Sequence, residues 1–139
     1  MTQRNIHGEW SMKLEGRFLL SEVVGSTNKE AAHAWLIEVK QLITNSQGGI
    51  ATPWVILLDA REWGMTMADA SDDSIENVMW PLEHHCVFFA FVFSKKIHIY
   101  TAHEQLKSEI ENVAYFFDFD EAYQTCLDKL AETQSPKNK

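Results

Sequence analysis

From Glu9 to Glu15 polar and apolar residues alternate strictly, with Trp10, Met12 and Leu14 on one side and Glu9, Ser11, Lys13 and Glu15 on the other. A period of two is that of a strand with one dry and one wet face. Gly16 opens a turn and Arg17 to Val24 forms a second strand, so an antiparallel hairpin is predicted before the chain leaves at Gly25. The period then changes. Ala31, Ala32, Trp35, Leu36, Val39, Leu42 and Ile43 fall on one stripe at 3.6-residue spacing, which predicts a helix from about Asn28 to Asn45. Thr27 and Glu30 have the spacing of a capping box at its start, and Gly48-Gly49 serve as its stop.

The run Trp54 to Asp59 is continuously apolar up to its last residue and opens after Pro53, and Cys86 to Phe93 has the same character. Such runs belong to strands covered on both faces. A helical segment from about Ser71 to Leu82 lies between them, which makes a right-handed βαβ unit with parallel pairing. Further on, Ile97, Tyr100, Leu106, Ile110 and Val113 have helical spacing, and Ala114 to Phe117 is a short strand-like run. Asp118 and Glu121 repeat the capping geometry before a last helix striped by Ala122, Tyr123, Cys126, Leu127 and Leu130. The predicted order is β-β-α-β-α-β-α-β-α: a mixed, mainly parallel sheet of about five strands with four helices.

The chain has 139 residues, and no repeat or linker divides them, so one domain over 1–132 is expected with a polar tail at 133–139. A formal net charge of −8 argues against nucleic acid and anionic membrane, whose binders concentrate Lys and Arg. The compact basic features, Lys95-Lys96 and the Lys137/Lys139 tail, are too short to reverse that field. Cys86 and Cys126 lie in apolar stretches without metal or redox spacing, and no apolar run approaches the roughly 18 residues of a membrane helix. These features point to a reducing cytoplasm.

The order of elements, together with three short stretches, resembles the SpoIIAA-like group of the STAS fold, named for sulfate transporters and anti-sigma-factor antagonists. The stretches are Leu14-Glu15-Gly16, a strand ending in Asp59 ahead of Arg61 and Trp63, and Phe117-Asp118 followed by Glu121-Ala122. The resemblance implies a non-enzymatic regulatory domain that docks on a protein partner, controlled by phosphorylation of a Ser or Thr at the start of the helix after the third strand. The Asp-Ser-Ser-Gly type signature is missing here, which leaves Ser71 and Ser74 as candidate phosphoacceptors. Asp69, Asp72 and Asp73 surround them, so an added phosphate would meet like charge.

Candidate chemistry is otherwise sparse. His84-His85-Cys86 contains metal-binding residue types, but adjacent side chains diverge and no HxxxH or HExxH pattern accompanies them. Asp69, Asp72, Asp73 and Glu76 fail the calcium-loop spacing, and neither a nucleophile motif nor a phosphate loop is present. No catalytic residue, metal or cofactor is assigned. The distinctive stretch runs from Arg61 to Ala68, read as a loop just past the carboxyl end of a central strand, where open α/β sheets bind ligands. It carries Trp63, Met65 and Met67, and Lys95-Lys96 follow the neighbouring parallel strand. Arg61, Trp63, Met65, Met67, Lys95 and Lys96 are therefore the candidate binding residues. The expected occupant is a protein partner or a second copy of the chain in a homodimer. The alternative is a small anionic apolar molecule carried in the same cleft.

Overall fold

The computed structural model describes residues 8–66, 71–95 and 111–134. Its five-stranded sheet has the order β1-β2-β3-β4-β5, with β1 at Glu9–Glu15, β2 at Phe18–Thr27, β3 at Trp54–Thr66, β4 at Cys86–Val92 and β5 at Val113–Phe116. The hairpin β1-β2 is antiparallel, and β2-β3, β3-β4 and β4-β5 are parallel. Helices α1 (Lys29–Thr44), α2 (Ser71–Glu83) and α3 (Phe119–Gln134) complete the described elements, with a single 3-10 turn at Gly49–Ala51.

The predicted α/β class and mixed sheet agree with this architecture. Three α-helices rather than four occur among the described residues. Most of the stretch expected to form the other one, 97–113, lies outside them, and Val113 opens β5 instead, its backbone held in the ladder opposite Phe89. The cap of α1 also moves by one residue. Thr27 belongs to β2, and the Asn28 side chain accepts the Ala31 N–H at 3.0 Å, because β2 stays extended three residues beyond the Val24 at which the apolar pattern ended it. Helix α3 reaches Gln134.

Each face of the sheet buries one apolar layer. Between the sheet and α1 and α2 pack Leu19, Trp54, Ile56 and Phe89 with Trp35, Val39 and Ile43 of α1; on the other face Phe18, Val55, Leu57, Phe88, Ala90 and Val92 pack with Ala122 and Cys126 of α3. The alternation of Trp54 and Ile56 with Val55 and Leu57 between the two layers is why β3 reads as an unbroken apolar run.

Two polar devices fix the amino end. Ser21, almost fully buried, donates its hydroxyl to the Ser11 carbonyl at 2.8 Å and accepts the Trp35 indole N–H at 3.0 Å, joining β1, β2 and α1. Arg17 donates to the carbonyls of Pro53, Gln47, Gly49 and Thr52 and to the Ser46 hydroxyl, so the connection from α1 to β3 wraps one guanidinium. Gly48 holds φ 96° in that connection, a backbone region that favours glycine.

Candidate functional site

The carboxyl end of β3 differs from the loop expected there. Strand pairing with β2 continues to Thr66, while pairing with β4 stops at Asp59 opposite Val92. Between the pairs Glu22/Asp59 and Val24/Glu62, β2 advances two residues and β3 advances three, and the same slip recurs between Gly25/Trp63 and Thr27/Thr66. These are β-bulges, which bend a strand and re-aim its side chains. The sequence suggested a loop because polar Arg61 and Glu62 interrupt the apolar run; the backbone of β2 supplies a template that local pattern does not reveal.

The first bulge has a direct geometric result. Arg61 and Trp63 stand two residues apart and would share a face in a regular strand. Instead, the Arg61 guanidinium lies 5.0 Å from the Phe119 ring centroid, on the α3 side, whereas the Trp63 ring lies 5.8 Å from that of Phe93 on the other face. Trp63 is half-buried, packs beside Ala60, Phe91, Phe93 and Tyr115, and directs its indole N–H at Thr27 Oγ1, 3.4 Å away. The aromatic rank continues inward, with Phe93 5.7 Å from Phe91 and Phe91 4.7 Å from Phe89.

Asp59 sets the Arg61 side chain. Its two carboxylate oxygens accept Arg61 Nε–H at 2.9 Å and Nη2–H at 2.8 Å, and Oδ1 also accepts the Arg61 backbone N–H at 3.2 Å. This is a bidentate fork, in which geometry and charge reinforce each other. Burial by itself would raise the Asp59 carboxyl, but the hydrogen bonds and charge of Arg61 outweigh it and hold the carboxyl below its ordinary value. The hydrogen bond to Asp59 in turn raises Arg61, with further support from the charges of Asp59, Glu22 and Glu62. The Arg61 side chain keeps 44% of its exposure against 11% for Asp59, so the acid is a buried post and the base an exposed head.

The Ser94 hydroxyl donates to the Arg61 carbonyl at 2.9 Å, tying the end of β4 to β3 beyond the last ladder pair. Lys95 follows, exposed, at that end. Close backbone approach at the β2 side is secured by Gly64: a Cβ there would come within 2.9 Å of Ser26 Oγ, which donates to the Gly64 carbonyl at 3.0 Å.

The predicted set is thus only partly assembled. Arg61, Trp63 and Lys95 occupy one edge of the sheet, Arg61 and Trp63 on opposite faces of it; Met65 lies farther along the bulged strand. Met67 and Lys96 lie outside the described residues. Ser71 opens α2 and Ser74 follows within its first turn. Sequence reading named Asp59 only as the end of a strand ahead of Arg61, and it did not place Phe93, Ser94 or Phe119 beside the site. An Asp and an Arg two residues apart in a strand were the available signal for the fork.

The two thiols are withdrawn from solvent. Burial pushes both Cys86 and Cys126 thiols up to about 12, away from the thiolate. His84 Nδ1 bonds the Trp80 carbonyl at 2.7 Å and its ring stacks on Trp80 at 4.2 Å, an arrangement that finishes α2. A shallow groove of about 40 Å³ between α1 and α2, lined by His33, Leu36, Ile37, Lys40, Glu76 and Asn77, has room for little more than water. Among the described residues no three His, Cys, Asp or Glu side chains converge as a metal site, and no helix is long and apolar enough to cross a membrane.

No protein-family model matches the chain, and a search of curated proteins finds no match. Solved structures do match. An uncharacterized protein of the DUF3478 family with a SpoIIAA-like fold, from Shewanella loihica PV-4, superposes with a TM-score of 0.58 at 16% identity, over 87% of this chain and 94% of the other. The anti-sigma factor antagonist SpoIIAA in its unphosphorylated form gives 0.58 at 9% identity, over 86% and 98%. An anti-sigma factor antagonist from Mycobacterium paratuberculosis gives 0.54 at 11% identity, over 87% and 95%. With its hairpin-led, mainly parallel five-stranded sheet, the chain has the SpoIIAA-like STAS fold expected from the order of its elements.

Proposed function

We propose that this chain is a non-enzymatic regulatory domain that works by binding a protein partner, with the carboxyl edge around Arg61, Trp63 and Lys95 as its docking surface. The observation that carries the reading is the likeness of nearly the whole chain to two anti-sigma-factor antagonists, one of them covered over 98% of its own length. The Asp59–Arg61 fork supports the placement, since an exposed guanidinium held in one geometry loses less entropy on docking than a free one. Arg and Trp are also the residue types over-represented among binding hot spots.

Met65, Met67 and Lys96 extend the proposed surface along the chain. Ser71 and Ser74 are the positions at which phosphorylation would regulate it; the helix dipole would favour a phosphate there and the charges of Asp69, Asp72 and Asp73 would oppose it. Cross-linking in the cells that make the protein, followed by mass spectrometry, tests the reading. A defined protein should be captured by the wild-type chain and lost from Arg61→Glu and Trp63→Ala chains whose circular dichroism is unchanged. Equal capture by all three, or a co-purifying small molecule that Trp63→Ala releases in native mass spectrometry, overturns it, and the second outcome would favour a ligand carrier.

A further inference from the structure

Strand β1 ends the sheet on one side, with no strand beyond it among the described residues. Sheet edges are normally protected by proline, bulges or a row of lysines, because their unpaired N–H and C=O groups template a further strand. Here the seven pairs between β1 and β2 run without a slip, β1 has no proline, and Lys13 is its one lysine. The edge is unbulged and seven residues long.

The direction of its free groups follows from one hydrogen bond. The Ser11 carbonyl accepts the Ser21 hydroxyl from β2 at 2.8 Å, so Ser11 turns its backbone groups inward, toward β2. Backbone groups alternate along a strand, which leaves those of Trp10, Met12 and Leu14 facing outward. An antiparallel mate must therefore pair outward-facing residues with one another, and few registers do so for two identical strands. Centring on Met12 sets Glu9 against Glu15, and centring on Lys13 sets Lys13 against itself. Centring on Ser11 sets Trp10 opposite Met12 in hydrogen-bonded pairs and Glu9 opposite Lys13 twice, once on each side of the twofold axis. In that register the four charges complement each other and the inward apolar stripe of Trp10 and Met12 continues from one copy to the next.

The geometry points to β1 as a homodimer edge, where two copies of this chain pair antiparallel about Ser11 into one ten-stranded sheet. This extends the interaction reading above to a second surface, and the two are tested apart because Arg61→Glu leaves β1 untouched and should not change self-association.

Sedimentation equilibrium of the full chain should give a mass twice its 16.0 kDa at high concentration. Lys13→Glu turns both opposite-charge pairs into like-charge pairs and should raise the dimer dissociation constant about tenfold or more, and Glu9→Lys combined with Lys13→Glu should restore it. Met12→Pro removes an outward N–H that β2 does not use, and should leave a folded monomer as judged by circular dichroism. A wild-type chain that is monomeric at every concentration overturns the proposal. So does a dimer indifferent to Lys13→Glu, which reports on pairing even if Met12→Pro fails to fold.

Discussion

The two halves of β3 obey different rules within one strand. From Val55 to Asp59 the strand is paired on both sides, with Trp54 before it paired to Cys86 of β4, and the Trp54, Val55, Ile56 and Leu57 side chains are fully buried. From Ala60 to Thr66 it keeps only the β2 neighbour among the described residues, carries two bulges, and brings Arg61 and Glu62 to the surface. The first half exists to be covered: each apolar residue removed from water adds roughly 1.5–3 kcal/mol, and a defect there has nowhere to relax. In the second half a short polar fork and hydroxyl bonds from Ser94 and Ser26 reinforce the β2 ladder. A single strand therefore passes from a stability element to a presenting one at the point where its second neighbour is lost.

That contrast can be broken by mutation. Trp54→Ala deletes a fully buried ring whose indole N–H donates to the His84 carbonyl at 2.8 Å, and should destabilise the fold by about 3–5 kcal/mol in urea unfolding. The thiols that flank the same half should show next. Cys86 stands opposite Trp54, and Cys126 Sγ lies 3.7 Å from the Ile56 carbonyl. Their folded pKa of about 12 lies above the ordinary thiol value, so their contribution is fully present below about pH 8.5 and is lost as pH rises toward 12. Stability should fall by about 2 kcal/mol per thiol by about pH 10, and a Cys86→Ala/Cys126→Ala chain should show a flatter alkaline limb in the same measurement.

On the outer half the effects should shrink. Trp63→Ala removes a half-buried ring and should lower stability by about 1–2 kcal/mol, well short of Trp54→Ala; equal losses would erase the distinction between the halves. Asp59→Asn should have the smallest effect, about 1 kcal/mol at neutral pH, because the freed Arg61 turns to water. The Asp59 carboxyl is held below its ordinary value, so this difference should persist down to about pH 3.9 and vanish as pH falls further through the folded pKa. Acid titration of wild-type and Asp59→Asn chains monitored by circular dichroism reads both limbs.

Where burial dictated residue type, the elements were legible. The alternation in β1, the stripe of α1 and the apolar runs that became the inner part of β3 and β4 each report a face that must be dry. The site was less so. Arg61, Trp63 and Lys95 were expected together at the carboxyl edge, and the structure brings them there because the carboxyl ends of parallel strands converge. Their distribution over two faces came from a bulge, and a bulge depends on the partner strand rather than on the residues that bulge. Thr27 illustrates the same point: its capping spacing is real, yet pairing with Thr66 draws it into β2 and leaves the cap to Asn28.

By itself, then, the sequence determined the α/β class, the succession of the described elements and which strands would be central, because hydrophobic periodicity is a local record of burial. Only the tertiary structure decided how far β3 runs, that Asp59 holds Arg61, that Trp63 turns to Phe93, and that β1 ends the sheet of the described residues in an unshifted register. Those features arise from registers between segments distant in the chain, and a register is an agreement between two backbones that neither writes alone.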